Sequence, residues 1–475
     1  MYFNPSRYTA LGSALASPAE REHFPNAKLV LWHQQLADGL AWPWSAAGSL
    51  AFLAGEPDKS LVESVALAYS GHQFGQFNPS LGDGRAHLLA QLDTPLGWFD
   101  LQSKGSGATR FSRGGDGLCA LGPAVREFVM SQAMAALGVP TTHCLGVIST
   151  GQMVYRQGAE QGAVVFRLAT SHIRVGSFQY LALQQDEGAL WQLLELAIKT
   201  HYPEIDATGS QRVLAFFKHV CERQVKLIIH WLRVGFIHGV MNTDNTLISG
   251  DTIDYGPCAM MEGYDLNTVF SSIDRNGRYA FGQQANIASW NCARLAECLI
   301  PLLGDDEQQA VTELSAVLAQ FATQFHHEYE KMWCDKLGLM PDNATHQQLL
   351  VEFKTLLTEH KFDYTNTFAA LTCLLANGHA SPFALPVQLN DWCERWLAAI
   401  ETQAALAIMR TSNPAIIPRN HLVEHFIAEA KQGRYEELEV WLKALSSPYH
   451  YEQLDSRYIT PDPNAGAGYQ TFCGT

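Results

Sequence analysis

A chain of 475 residues with 47% hydrophobic and 17% charged residues is long enough for two or three domain-sized units with buried cores. Its 32 Lys and Arg against 47 Asp and Glu give a formal net charge of -15, which disfavours nucleic acid and membrane surfaces as partners. The longest apolar runs, such as 292–303, contain charged residues and fall short of the roughly 20 residues that a membrane span needs.

The first 180 residues are rich in glycine and in strand-like segments. Two apolar runs, 86–92 and 98–103, are joined by a turn-rich connection at 93–97 and predict a β-hairpin. A glycine turn, Gly82-Asp83-Gly84-Arg85, enters the first strand, and Lys104 ends the second. Further strands are predicted at 145–149, 153–156 and 163–169.

A glycine-rich loop at 105–117 leads into a predicted helix. Pro123 suits the first helical turn, apolar residues recur at helical spacing, and Gly138 and Pro140 close the helix. Glu127 lies in the early turns of this helix.

The rest of the chain has a mostly helical pattern. Amphipathic helices are predicted at 190–199 and 211–234, followed by a polar, turn-rich segment at 237–265. Helical patterns resume at 287 and occupy most of the chain to 445.

Ten cysteines are scattered along the chain without a Cys-x-x-Cys pair, and most lie in apolar helical surroundings. This pattern is typical of reduced, buried thiols rather than of disulfides or a zinc site. Cys473, in a tail rich in Gly and Pro, is predicted to be a solvated thiol. The N-terminal sequence lacks the pattern of a secretory or organellar signal, and we expect a cytoplasmic monomer.

Several parts of the chain follow the order found in protein kinases: a glycine turn, a Lys at a strand end, a helix with Glu, His-Gly-x-x-x-x-Asp-Asn at 238–245, and Asp254-Tyr255-Gly256. Each part alone is better explained as an ordinary turn or a solvated charge. Five parts in this order favour a nucleotide site. We therefore predict an α+β, protein-kinase-like fold of two lobes. An N-terminal extension at 1–50 packs on the lobes, 51–180 form a glycine-rich β-sheet N-lobe, and 181–475 form a large, mostly helical C-lobe with the catalytic and metal-binding loops.

The chemistry of these parts is electrostatic, because the negative charges of a nucleoside triphosphate must be neutralised before attack at phosphorus. Lys104 is predicted to bind the phosphates, and Glu127 to hold Lys104 in place. Asn245 and Asp254 offer the hard oxygen ligands that magnesium prefers.

The catalytic Asp of a kinase is missing from its expected position. Kinase loops place that Asp five residues before the metal-binding Asn, and counting back from Asn245 reaches Val240, which has no acid-base chemistry. Either the protein is inactive or another group accepts the proton, and the adjacent Asp244 is the natural candidate.

Arginines are unusually frequent in the region expected to face the nucleotide of this acidic chain. Guanidinium groups bind phosphate oxygens bidentately, so this local excess favours a deeply held triphosphate, although surface charge or a carboxylate partner would explain each one singly. The residues are Arg85, Arg110, Arg113, Arg167 and Arg174.

Longer motifs make the chain similar to one known family. Over essentially its whole length, the sequence resembles the selenoprotein O (SelO/YdiU) family. The motifs that carry the resemblance are Tyr69-Ser70-Gly71-His72-Gln73-Phe74-Gly75, Leu81-Gly82-Asp83-Gly84-Arg85, Gln102-Ser103-Lys104-Gly105-Ser106-Gly107, Arg113-Gly114-Gly115-Asp116-Gly117, Arg126-Glu127-Phe128, Arg174-Val175-Gly176-Ser177-Phe178, 238–245 and Ile253-Asp254-Tyr255-Gly256-Pro257.

The resemblance implies a pseudokinase fold that binds ATP reversed, with the γ-phosphate buried and the α-phosphate facing the acceptor. It implies transfer of AMP to Ser, Thr or Tyr hydroxyls of other proteins with release of pyrophosphate, and some members transfer UMP with manganese. Asp244 resembles the general base of the family, and Asn245 and Asp254 resemble its Mg²⁺ or Mn²⁺ ligands. The residues that resemble its nucleotide contacts are Gly82, Gly84, Arg85, Lys104, Asp116, Gly117, Arg167, Arg174 and Asp254.

The sequence departs from the family at one place. Members often pair a C-terminal Cys or selenocysteine with a Cys in the stretch that corresponds to 268–273, and this stretch contains no Cys here. A redox disulfide of Cys473 is therefore in doubt, with Cys258 as the nearby substitute partner.

Two other readings stay open from the sequence. Asp244 would also serve as the base of a kinase that transfers the γ-phosphate. A scaffold that binds ATP without catalysis is the third reading.

Overall fold

The computed structural model describes residues 1–12, 15–57, 62–156, 158–377, 381–452, 454–462 and 469–471. The chain is an α+β protein with a mostly antiparallel sheet in its first part and helices in its second, so the predicted α+β class is confirmed.

The strands of the described part are β1 (Tyr2–Asn4), β2 (Ala16–Pro18), β3 (Lys28–Trp32), β4 (Val65–Leu67), β5 (Gly71–Gln73), β6 (Gln76–Asn78), β7 (Ala86–Thr94), β8 (Gly97–Lys104), β9 (Cys119–Ala120), β10 (His143–Tyr155), β11 (Ala159–Ala169), β12 (Phe236–Ile237) and β13 (Ala259–Met260). The helices there are α1 (Gln34–Gly39), α2 (Ala46–Leu53), α3 (Leu121–Ala136), α4 (Val175–Leu183), α5 (Glu187–His201), α6 (Gly209–Val234), α7 (Gln284–Leu299), α8 (Glu307–Leu337), α9 (Ala344–His360), α10 (Tyr364–Asn377), α11 (Asn390–Ala399), α12 (Thr402–Ser412), α13 (Asn420–Lys431), α14 (Glu436–Leu445) and α15 (Ser456–Ile459).

The main sheet has the strand order β2-β4-β7-β8-β11-β10-β3, with β1 added to β7 and β9 to β11. The predicted hairpin is confirmed as β7 and β8, which turn between Thr94 and Gly97. The segments predicted at 145–149 and 153–156 are one strand, β10, whose pairing with β11 shifts register between Ser149 and Met153. The first 50 residues contribute β1, β2 and β3 to this sheet.

Strand β8 presents a row of polar side chains on one face, because side chains two residues apart in a strand point the same way. Asp100, Gln102 and Lys104 form this row, and all three are buried. At its near end, the Asp100 carboxylate accepts hydrogen bonds from Tyr8 Oη at 2.8 Å and Arg7 Nη2 at 3.1 Å. The row therefore runs along β8 from Asp100, which holds Arg7 and Tyr8 near the N-terminus, to Lys104 in the predicted site.

The predicted helix after the glycine-rich loop is confirmed as α3, which begins two residues before Pro123. Its buried residues occupy most of its circumference, since it packs against β10 and β11 on one side and α13 on the other. Glu127 is among the buried residues, so the helix delivers a carboxylate to the interior.

The helical part places the polar loops that follow α6. Gly235 ends α6 in the left-handed conformation, with φ of 77°, and a short β12–β13 pair follows. The buried His238 ring contacts the Ile253 carbonyl oxygen through Nε2 at 2.9 Å, which ties the two predicted catalytic segments together. Among the described helices, we find none that combines the length and the apolarity of a bilayer-spanning segment.

Replacing Asp100 tests whether its contacts with Arg7 and Tyr8 stabilise the packing of the N-terminal residues. Replacing Asp100, which is 1% exposed, with Ala leaves the Arg7 charge without its buried partner. Breaking such a pair costs about 3 kcal/mol of unfolding free energy, measured by urea denaturation. Asp93→Ala, on neighbouring β7, is the control, and an equal loss in both variants would contradict the anchor role of Asp100.

Candidate active site

A cleft of about 740 Å³ lies where the glycine-rich segments of the sheet part face the loops after α6. Eleven of the predicted site residues line this one cleft, and Glu127 lies behind it in contact with Lys104. The eleven are Gly82, Gly84, Arg85, Lys104, Asp116, Gly117, Arg167, Arg174, Asp244, Asn245 and Asp254.

Four charged residues form a network at the base of the cleft, and all of them except the half-buried Asp254 are buried. Lys104 Nζ donates to Glu127 Oε2 at 2.7 Å and forms a further ion pair with Asp254 Oδ1. Arg167 Nε donates to Glu127 Oε1 at 2.9 Å, and its Nη2 lies 3.4 Å from Asp254 Oδ1. Each carboxylate is therefore shared by the same two cations.

The sheet register explains why these side chains meet. Lys104 of β8 pairs with Val165 of β11, and Gln102 pairs with Arg167. Lys104 and Arg167 therefore project from the same face of adjacent strands, where Glu127 of α3 lies.

The network holds its members in their charged forms. Burial alone would lower the pKa of Lys104, but the carboxylates of Asp254 and Glu127 outweigh it and raise this pKa above its usual value. Burial alone would raise the pKa of Glu127 and of Asp254, but Arg167 and Lys104 hold both below their usual range. The base of the cleft thus stays fully ionised around neutral pH.

A second buried pair, which the sequence motifs did not single out, lies beside this network. Arg174 Nη2 is 3.5 Å from Asp83 Oδ1, and the guanidinium carbon of Arg174 lies 4.1 Å from the centre of the Tyr69 ring. Asp83 also accepts from Gln102 Nε2 at 3.1 Å. The position of Asp83 between two glycines was the available signal for a constrained carboxylate.

Two predicted nucleotide contacts have to be glycine for steric reasons. Gly82 and Gly117 have φ of 74° and 69°, a region that residues with a Cβ seldom adopt. A Cβ on Gly82 would also overlap the Phe111 ring, and one on Gly117 would overlap the Gly107 carbonyl. The two positions bring backbone close to the cleft.

Asp244 lies in a 3₁₀ turn, Thr243–Asn245, and is 7% exposed. Burial raises the pKa of Asp244 to about 6, against the opposing effects of Arg174 and of a hydrogen bond from Gln73. A carboxyl group with such a pKa is suited to accept a proton near neutral pH. Gln73 is part of the 69–75 motif, but the sequence did not reveal its contact with Asp244.

The donor set at Asn245 and Asp254 fits a hard cation. Asn245 Nδ2 donates to the Val240 carbonyl at 3.2 Å, and no described residue donates to its amide oxygen. Lys104 and Arg167 both contact Asp254 at Oδ1. A carboxylate and an amide oxygen that line one cleft match the few protein ligands that magnesium takes.

The remaining predicted cations differ in position. Arg85 and Arg113 line the cleft, whereas Arg110 is not among its lining residues, and its Nη1 donates to Ser17 Oγ at 3.0 Å. Asp116 is paired with Arg156 through two hydrogen bonds of 2.8 and 2.9 Å. This pair fixes the glycine-rich loop against the β10–β11 hairpin, a contact that the sequence did not reveal.

The cysteine predictions are confirmed for the nine described cysteines, which are buried and free of disulfides. Cys473 lies outside the described residues. Burial raises the pKa of Cys258 to about 12, which opposes a reactive thiolate there. Thr471 nevertheless lies against the stretch without Cys, since its N donates to the Phe270 carbonyl at 2.8 Å and its carbonyl accepts from Ser272 N at 3.1 Å.

The chain is similar to known proteins over nearly its whole length. A family model described as "Protein adenylyltransferase SelO" matches residues 2–446. A protein of Pseudoalteromonas translucida is 51% identical over 451 residues, which cover 94% of each chain. One of Teredinibacter turnerae is 47% identical over 98% of this chain and 99% of its own, and one of Halalkalibacterium halodurans is 43% identical over 99% and 97%. All three are named "Protein nucleotidyltransferase YdiU".

The charge network predicts a strong effect of neutralising Glu127. Glu127→Gln keeps the shape of the side chain but removes the negative charge shared by two buried cations. We expect a loss of about 3 kcal/mol in the free energy of unfolding, measured by guanidinium denaturation.

Glu424→Gln is the matched control, because Glu424 also pairs with an arginine but its side chain is 46% exposed. Its loss is expected to stay below about 1 kcal/mol. Similar losses of unfolding free energy in both variants would show that the Glu127 charge, shared by two buried cations, stabilises the fold no more than an exposed ion pair does.

Proposed function

The chain belongs to the SelO family of protein adenylyltransferases, and on this premise we propose that it transfers AMP from ATP to Ser, Thr or Tyr hydroxyls of other proteins. It is a protein nucleotidyltransferase. The observation that carries the finer proposal is the buried carboxylate of Asp244, facing the same cleft as the buried cations Lys104, Arg167 and Arg174.

We propose that the fold is a kinase-like arrangement of two lobes. The ion pair of Lys104 with Glu127, from strand to helix, and the shared cleft of Asn245 and Asp254 support this. The boundaries at 1–50, 51–180 and 181–475 stay predictions.

The triphosphate lies with its terminal phosphate at the buried end of the cleft. Arg167 and Arg174 are 3% and 6% exposed, so their charges act in a poorly hydrated environment that strengthens their attraction for phosphate. Asp116, by contrast, is exposed. We propose that adenine lies on the side of Asp116 and Gly117. The α-phosphate is left beside Asp244.

Asn245 and Asp254 would hold a Mg²⁺ or Mn²⁺ ion. Such an ion supplies positive charge that offsets the charge of the phosphates. No cluster of three or more His, Cys, Asp and Glu suited to a metal occurs among the described residues, so phosphate oxygens and water complete the ligand set.

Asp244 accepts the proton of the acceptor hydroxyl. The hydroxyl oxygen forms a bond to the α-phosphorus as the bond from that phosphorus to the β-bridging oxygen breaks. Pyrophosphate leaves with the bonding electrons, and Lys104, Arg167 and Arg174 stabilise its charge. The buried position of Asp244 excludes water from the carboxylate that takes the proton.

The remaining predictions complete this proposal. The protein acts in the cytoplasm as a monomer, without nucleic acid or membrane partners. ATP is the nucleotide substrate, and UTP serves as a donor of UMP in a second reaction of the same site.

The experiment that tests the proposal asks which phosphorus of ATP becomes bound to protein. The answer distinguishes AMP transfer from transfer of the γ-phosphate and from a scaffold without catalysis. With ATP labelled at the α-phosphate, label is expected to appear on protein acceptors of a cell lysate, whereas label at the γ-phosphate is expected to be released as pyrophosphate. Protein-bound γ label without α label would contradict AMP transfer and favour a kinase. Absence of both labels would favour a scaffold.

Replacing Asp254 and replacing Asp244 are expected to impair different steps, nucleotide binding and transfer. Asp254→Ala should weaken ATP binding about tenfold or more in the presence of magnesium, because a metal ligand is lost. Asp244→Ala should keep ATP affinity within about twofold and lower transfer about 100-fold or more. Titration calorimetry and the α-label assay measure the two effects.

Asp265→Ala is the control for both variants, since Asp265 pairs with the exposed Lys361 outside the cleft. Unchanged ATP affinity in Asp254→Ala would contradict the metal assignment. Full transfer by Asp244→Ala would contradict its role as the base.

A further inference from the structure

A small hairpin lies directly over the proposed base. It consists of β5 and β6, whose residues pair in the register Gly71 with Asn78, His72 with Phe77 and Gln73 with Gln76. Its turn residues, Phe74 and Gly75, both have positive φ, of 51° and 82°, as in the tight two-residue turns that suit hairpins. We call residues 71–78 the covering hairpin.

The covering hairpin binds three consecutive residues of the catalytic loop. The backbone N–H of His72 donates to Thr243 Oγ1 at 2.7 Å, and that of Phe74 donates to Asn242 Oδ1 at 3.2 Å. The Gln73 side chain, between them, donates from Nε2 to Asp244 Oδ2 at 3.2 Å. The hairpin is therefore bonded to each of the three loop residues.

Further contacts keep the hairpin in this place. Gln179 bridges the two segments, since its Nε2 contacts His72 Nδ1 at 2.8 Å and its Oε1 accepts from Thr243 Oγ1 at 2.7 Å. The Tyr279 hydroxyl donates to Asn242 Oδ1 at 2.6 Å and accepts from Phe74 N at 3.1 Å. Three polar side chains, of Thr243, Asn242 and Tyr279, thus accept from the backbone N–H groups on both sides of Gln73, so its amide is held at a defined position.

Asp244 has few other ways to be oriented. Its Oδ1 is buried and has no hydrogen-bond partner among the described residues. The Cα of Gly71 comes so close that a Cβ there would lie 2.6 Å from this oxygen. Gln73 thus supplies the side-chain hydrogen bond that fixes the carboxylate plane.

We propose that Gln73 is a positioning residue that orients the Asp244 carboxylate for proton transfer from the acceptor hydroxyl. This inference rests on the proposed function, in which Asp244 is the base. Gln73 lines the cleft, and the role proposed for it is to hold Asp244 rather than to take the proton itself. Its amide donates to one carboxylate oxygen and thereby sets the direction of the oxygen lone pairs towards the cleft.

The matched pair of variants is Gln73→Leu and Gln76→Leu. Both change a glutamine to a side chain of similar size on the same hairpin, opposite one another, but Gln76 is exposed and makes no side-chain hydrogen bond within the described part of the chain. Losing a hydrogen bond to a charged group should lower the kcat of Gln73→Leu about 10- to 100-fold. Gln76→Leu should stay within about twofold of wild type.

Three accompanying measurements separate orientation from a general structural loss. In Gln73→Leu, ATP affinity by calorimetry, KM for the protein acceptor and the melting temperature should match those of Gln76→Leu. Gln73→Glu, which replaces the donor with a like charge, should lose at least as much kcat as Gln73→Leu. A fall in ATP affinity or a raised acceptor KM with normal kcat would overturn the inference.

A double-mutant comparison tests whether Gln73 acts through Asp244. Groups that act as a unit are not additive, so Asp244→Ala with Gln73→Leu should transfer AMP at the residual rate of Asp244→Ala alone. A further tenfold loss in the double variant, or a Gln73→Leu protein as active as Gln76→Leu, would overturn the inference.

The wild-type protein reports separately on the proposed function. If it transfers γ label instead of α label, AMP transfer is contradicted. The ratio of kcat between Gln73→Leu and Gln76→Leu still tests the role of Gln73, because Asp244 would be the base in that reaction too. If it transfers no label at all, both the proposed function and the positioning role of Gln73 are overturned.

Discussion

The buried carboxylate of Glu127, shared by Lys104 and Arg167, is the interaction on which the rest of the site depends. Two cations cannot be placed side by side in the protein interior without a compensating negative charge. Glu127 and Asp254 supply it, and they come from a helix and a distant loop. Sheet, helix and loop are therefore held together by charge neutralisation before any nucleotide binds.

This arrangement also shows how an acidic chain could form the proposed phosphate site. The residues that line the cleft include more arginines and lysines than carboxylates, although the whole chain carries a net charge of -15. Each buried cation already has a partner, so an incoming triphosphate competes with carboxylates rather than filling an empty positive pocket. A metal ion at Asn245 and Asp254 would reduce that competition, because it binds both the carboxylate and the phosphates.

Local sequence was enough to predict those parts whose partners lie nearby or within a recognisable motif. The β7–β8 hairpin follows from its turn residues, α3 from apolar spacing after Pro123, and the Lys104–Glu127 pair from the order of strand and helix. The first 50 residues could not be assigned to the sheet, because their strands pair with β7, β4 and β10 far along the chain. Pairing over such distances leaves no local pattern.

The same limit applies within the candidate site. Asp83 and Arg174 are both visible in the sequence, but their contact depends on folding that brings distant segments together. Gln73 is a harder case, because glutamine carries no reactive group and its contact with Asp244 spans 171 residues. The sequence also contained no sign that Arg110 Nη1 donates to Ser17 Oγ, since the two residues are 93 positions apart.

In the proposed function, the base is Asp244 rather than a residue at position 240, and this changes which contacts orient the base. Val240 keeps a structural role, because its carbonyl accepts from Asn245 Nδ2 and orients that amide. Asp244, in contrast, is oriented by the covering hairpin, which precedes the main β7–β8 strands in the chain, while its loop follows α6. If Asp244 is the base, the geometry of proton transfer depends on the contact between the first, sheet-containing part of the chain and the helical part, because Gln73 and Asp244 come from the two parts.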